Sequence, residues 1–169
     1  PSVLSLQSTT SNGIYKAAAT INVTVTFDES IVVATGAGVP TLLLETGTVD
    51  RAATFVSSSG PVATFRYVVQ AGDVNSDLDV QSSGALVLNG GTIRDAAGNA
   101  ANLAVIAPGS TGSLGANAAI VAKLKEMEYR WVTRDARPED SERIAHLEKE
   151  VHEKEFLCRR IMEEMKFFK

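Results

Sequence analysis

Residues 21–27 read INVTVTF. Ile21, Val23, Val25 and Phe27 alternate strictly with Asn22, Thr24 and Thr26, the period of a strand with one buried and one wet face. β-branched side chains fill most of the run, and they pack well on a pleated surface. The pattern predicts a half-buried strand, and the flanking sequence continues in the same style. Val3, Leu4 and Leu6 predict a strand before it, ended by the turn-forming cluster Ser8–Gly13. After it come Ile31–Val33, Thr41–Glu45, Ala53–Ser57 and Ala63–Val69, then Val80, Leu86 and Leu88, and finally Thr92–Ile93 beyond the turn Asn89-Gly90-Gly91. Punctuation such as Gly36-Ala37-Gly38 and Ser59-Gly60-Pro61 separates them. Seven or more short strands within roughly 115 residues predict an antiparallel β-sandwich, large enough for a core of its own.

Composition changes sharply near residue 116. All 13 glycines lie at or before Gly115, while Trp131, Cys158, both histidines and all three methionines lie after it. The four basic residues before the change, Lys16, Arg51, Arg66 and Arg94, are outnumbered by acids; beyond it acids and bases balance. The whole net charge of −4 therefore rests on the first part. The expected division is a sandwich over residues 1–121 and a helical segment over 122–169. Ile120 and Val121 are expected to finish the last strand, with a helix from about Ala122; a start nearer Asn117 is the alternative.

The C-terminal part is written with a helical period. Ile144, Leu147, Val151, Lys154, Cys158, Ile161, Met165 and Phe168 follow one another at steps of 3, 4, 3, 4, 3, 4 and 3. This is a heptad seam with Ile144 at a, interrupted only by Lys154 at d. Leu157 at g widens the stripe, and Glu155 to Arg159 is an i,i+4 pair in the favourable order. Pro138-Glu139-Asp140 carries a helix-start signature, since proline suits the first turn and carboxylates suit the N-terminal dipole. A helix from Pro138 to Lys169 would span roughly 48 Å at ~1.5 Å per residue. A shorter pattern, Ile120, Leu124, Met127 and Trp131, predicts a helix over 122–132 in a different register, with a break at Thr133–Pro138. The expected partner is an identical or related helix, most simply in a homodimer.

Several function classes are disfavoured. A net negative chain whose tail bases alternate with acids is no general nucleic-acid binder. No apolar run reaches the ~18 residues of a spanning helix. The single cysteine excludes an internal disulfide, and Cys158 at an a position reads as a small seam hydrophobe. Asp73, Asp77 and Asp79 in AGDVNSDLD could offer carboxylates to Ca²⁺, but turn formation is the preferred reading. Asp95 and Asn99 read likewise as a turn, and no other cofactor is expected. His146 and His152, six apart, fall on different helix faces and make no shared metal site. Gly36-Ala37-Gly38 lacks the third glycine and following helix of a dinucleotide loop. No nucleophile–base pair appears, so the chain is expected not to be an enzyme.

Beyond these patterns, SNGIYKAAATINVTVTFDESIVV, PTLLLETG, FRYVVQAGDVNSDLDV, LVLNGGTIRDAAGNAANL and GSLGANAAIV together resemble one repeat of the bacterial immunoglobulin-like, cadherin-like modules of large surface adhesins. The resemblance covers roughly residues 1–121. It implies an immunoglobulin-like sandwich serving as an extracellular spacer or adhesion module without enzymatic activity. Ala18 and Ala19 depart from it, standing where Gly-Asp is usual. The run LEKEVHEKEFLCRRIMEEMKFFK is similar to coiled-coil proteins of the eukaryotic centrosome and cilium. The combination reads as a chimera, with the β module as carrier and the helical tail as an association device; a bacterial adhesion module on a helical stalk is the alternative.

Overall fold

A computed structural model describes residues 1–122 together with His146, Lys149 and Glu150. The chain divides into two units, Pro1–Lys125 and Glu126–Lys169, and every described strand belongs to the first. In order these are β1 (Val3–Ser8), β2 (Gly13–Tyr15), β3 (Thr20–Phe27), β4 (Val32–Ala34), β5 (Thr41–Glu45) and β6 (Arg51–Ser59). There follow β7 (Val62–Val68), β8 (Asp79–Val80), β9 (Leu86–Val87), β10 (Thr92–Arg94), a one-turn helix α1 (Leu114–Asn117) and β11 (Ile120–Ala122).

The main sheet is antiparallel and runs β1-β3-β7-β6-β5-β8, with β9 also paired to β5. Strand β3 is its best-specified member, because Ile21, Val23, Val25 and Phe27 all face the core and a one-residue slip would turn them to solvent. Its register against β7, with Val23 opposite Phe65 and Ile21 opposite Tyr67, stacks apolar side chains on one face. Leu42, Leu44, Ala53 and Ala63 complete that face from β5, β6 and β7. A bulge between Phe55 and Ser57 bends β6. Next to it Phe55 meets Phe65 edge-on, with ring centroids 5.8 Å apart.

The sheet curls so that its free margins are covered by short pieces. Two two-stranded sheets, β10–β4 and β11–β2, lie off the main one. Helix α1 packs against both β1 and β8, the two ends of the strand order. Ser113 caps it by accepting from the Ala116 N–H at 3.2 Å, and Leu114 is fully buried. The Leu6 N–H donates to Gly112 O at 2.8 Å, and Asn117 Nδ2 donates to Leu6 O at 2.8 Å. These bonds satisfy backbone groups on a sheet margin that would otherwise invite another strand.

Two turns reveal what the local backbone demands. Gly38 faces the Asn89-Gly90-Gly91 turn so closely that a Cβ on it would stand 1.7 Å from Asn89 O. Ala18, by contrast, is an alanine with φ 72, a left-handed conformation that costs an L-residue about 1–2 kcal/mol. Its neighbours hold it there: the Ala18 N–H donates to Val69 O at 2.8 Å and the Val69 N–H to Ala19 O at 2.9 Å. Ala18→Gly is therefore expected to stabilise the unit by about 0.5 kcal/mol, the relief of strain exceeding glycine's greater freedom when unfolded. A urea titration at unchanged m-value measures it.

The register also places the two ends of the unit at opposite poles. Val3 pairs with Phe27, beside the β6–β7 hairpin, where the Phe27 N–H donates to Pro61 O and the Ile31 N–H to Gly60 O. Pro1 ties to Glu29 at the same pole. Strand β11 instead leaves at Ala122, opposite Tyr15 and bridged to Asn75. That is the pole of Thr20, Val68, Val69 and Asp73.

These findings correct the expected fold class. Among the described residues strand makes up 42% and helix 6%, so the described part is mainly β, with one curled antiparallel sheet in place of two facing ones. The far layer does not form a continuous sheet, since its strands are two or three residues long between close turns. Among the described residues no helix reaches seven residues, and a coiled coil is not supported. The seam residues Ile144, Leu147, Val151, Lys154, Cys158, Ile161, Met165 and Phe168 lie outside the described residues. So do Leu124, Met127 and Trp131, together with the break expected at 133–138. Ile120, grouped with them as a helix contact, is a fully buried residue of strand β11.

Candidate functional site

The only described side chain–side chain ion pair is at the pole where β11 leaves. Arg51 opens β6, Tyr67 sits near the end of β7, and Asp73 lies in the loop that follows. Tyr67 faces inward because it continues the alternation of Ala63 and Phe65, and a buried phenol needs a hydrogen-bond partner. Asp73 supplies it. Its Oδ2 accepts from the Tyr67 hydroxyl and, at 2.7 Å, from the Gln70 N–H; its Oδ1 accepts from Arg51 Nε at 2.9 Å. Asp73 is 2% exposed and Tyr67 1%.

Burial by itself would push the Asp73 carboxyl up, but the bonds from Tyr67, from the Gln70 N–H and from Arg51 outweigh it and hold the pKa below the ordinary carboxylate range. Tyr67 moves the other way: burial raises it strongly, and the bond to the Asp73 carboxylate adds to the effect. Chemically this is an ionised carboxylate whose oxygens accept from three donors inside the protein. It ties β6, β7 and the loop that follows β7 together.

Asp77 and Asp79 lie apart from that pair. Both turn an Oδ2 toward Gly115, standing 3.2 and 3.0 Å from where a Cβ would sit. Asp79 is nearly buried; its Oδ1 accepts from the Val80 N–H at 2.8 Å and its Oδ2 from the Gly109 N–H at 3.0 Å. The three aspartates considered for Ca²⁺ are thus split, Asp73 to the ion pair and the others to the loops around α1. Among the described residues no group of three or more His, Cys, Asp or Glu is placed to hold a metal ion.

No family model, curated protein or solved structure matches the chain.

The remaining sequence candidates take local roles. Asp95 and Asn99 close a turn: the Asn99 N–H donates to Asp95 Oδ1 at 2.8 Å and Asn99 Nδ2 to Oδ2 at 2.7 Å. The Asn99 side-chain bond, then the backbone bonds, hold the Asp95 carboxyl below its ordinary range. Gly36-Ala37-Gly38 belongs to the turn packed on Asn89–Gly91 and precedes a strand, not a helix. His146 is helical and exposed, while His152 lies outside the described residues. No described helix is long and apolar enough to cross a membrane.

Arg51 and Tyr67 were not legible as site residues. The signal available was Tyr67 itself, a phenol at a core-facing strand position that must find a partner nearby.

Proposed function

We propose that the β unit is a non-enzymatic structural module of a cell-surface or extracellular protein, a spacer that sets distance along a chain. One observation carries this reading: strands β1, β2 and β11 bring the chain in at one pole and out at the other. A module of that kind adds its length to whatever it is joined to, whereas ends at one pole would make it a side lobe. The resemblance to adhesin repeats points the same way, and so does the spending of the buried Asp73 charge on internal bonds.

The test is small-angle scattering from two copies of residues 1–122 joined in tandem. The spacer reading expects two separated lobes and a radius of gyration well above the roughly 18 Å of one compact body of that total length. A compact profile near that value would remove the reading.

A further inference from the structure

We infer that the β unit bears tension, and that its resistance lies in the terminal strands being loaded in shear. The inference deepens the spacer reading and rests on it. Strand β11 is held along both edges. On one side it lies parallel to β2, with Ile120 opposite Gly13, Val121 opposite Ile14 and Ala122 opposite Tyr15. The Gly13 N–H donates to Ala119 O at 3.0 Å at the start of that ladder. On the other side the Asn75 N–H donates to Ala122 O at 2.9 Å and the Ala122 N–H to Asn75 O at 3.0 Å. The Leu78 N–H adds a bond to Ile120 O at 2.8 Å.

Tension applied through the two ends pulls β11 out past Ala122 and pulls β1 back toward Val3, at the opposite pole. Both strands then slide along their own axes. Parallel pairing of β2 with β11 means that sliding strains the bonds of the ladder together instead of opening them one after another from an end. The antiparallel pairing of β1 with β3, from Val3–Phe27 to Ser8–Val23, is loaded the same way. Ile120 and Ala122 are fully buried, so sliding must also draw their side chains through the core. Resistance to pulling is a matter of the unfolding rate, not of equilibrium stability. The shear geometry is therefore a property that a melting curve does not report.

The experiment is single-molecule pulling on the full chain in two geometries. In the first, force is applied through tags at the two termini. In the second, the chain carries Cys158→Ser and Ser59→Cys, and force is applied between the N-terminus and residue 59. Ser59 is an exposed residue at the β6–β7 hairpin, on the same pole as Pro1. The second geometry peels β1 from β3 across the sheet, one pair at a time. In the first geometry, unfolding of the β unit is identified by a length gain of about 40 nm at ~3.5 Å per residue.

The expected result is a several-fold higher unfolding force between the termini than between the N-terminus and residue 59 at the same loading rate. Equal forces, or a lower force between the termini, would overturn the inference. That outcome would leave the spacer reading standing, since tandem scattering measures shape and not strength; a compact tandem would remove the spacer reading whatever the forces.

Discussion

Gly38→Ala is expected to destabilise the β unit by about 3 kcal/mol and lower its melting temperature by about 10 °C. The cause is steric and local. The new methyl would stand 1.7 Å from Asn89 O and 2.6 Å from Asn89 C, both backbone atoms that cannot rotate aside. The opposing turn is itself pinned: Asn89 Nδ2 donates to Val39 O at 3.0 Å and to Thr41 Oγ1 at 2.9 Å, and Gly91 lies against Gly38 O and Ala34 O. Relief must come from separating the two turns, which unseats β4 and β10 together. Gly36 supplies the control two residues away, with nothing within 4 Å of its added Cβ. Gly36→Ala should change stability by no more than about 0.5 kcal/mol. If the two substitutions behave alike under urea denaturation, the close approach of the turns is wrong.

Arg51→Ala is expected to cost about 3 kcal/mol at neutral pH, because it leaves the Asp73 carboxylate buried and short of a donor. Tyr67→Phe should cost about 1–3 kcal/mol for the same reason, a buried acceptor losing one of its bonds. The pH dependence follows from the direction of the shift. Asp73 has a folded pKa below its unfolded value, which is about 3.9. Between the two values the unfolded chain binds more protons, so stability rises with pH there. The contribution is fully present above the unfolded value and is lost as pH falls through the folded one. Asp73→Asn should therefore lower stability at neutral pH and flatten the acid limb below about pH 4. Arg51→Ala should move the acid loss to higher pH, since one of the groups holding the carboxyl down is gone. Urea titrations between neutral and acid pH separate the two variants; an unchanged acid limb in Asp73→Asn would show that Asp73 carries no such linkage.

How much of this was legible depends on whether the information is local. Strand β3 could be read directly, because its burial alternates at every residue from Ile21 to Phe27 apart from the covered Thr24. Strands β5 and β7 show enough of the same alternation to be placed within a residue or two. The β5 margin of the main sheet could not be read that way: Val80, Leu86 and Leu88 suggested one continuing pattern, but the chain breaks it into β8 and β9, both paired to β5. Helix α1 is too short for periodicity, and only its cap Ser113 marks it. The Arg51–Asp73 pair joins residues 22 apart in sequence, and nothing local announces it. The heptad period after Pro138 predicted a coiled-coil tail behind the β part; among the described residues no helix reaches seven residues and a coiled coil is not supported, while the seam residues themselves lie outside the described residues.

Ala18 joins these levels. The backbone here takes a left-handed φ that glycine adopts without strain and an alanine does not. A residue choice visible in the sequence thus becomes a measurable cost in the fold.

The spacer reading and its mechanical extension both depend on one feature, the direction of β11 against β2. Nuclear Overhauser contacts between the backbones of these strands test it most directly. The fold requires a parallel register, with contacts linking Gly13 to Ile120, Ile14 to Val121 and Tyr15 to Ala122. A reversed pattern, with Gly13 against Ala122 and Tyr15 against Ile120, would turn the last strand around, bring both ends toward one pole and contradict the account.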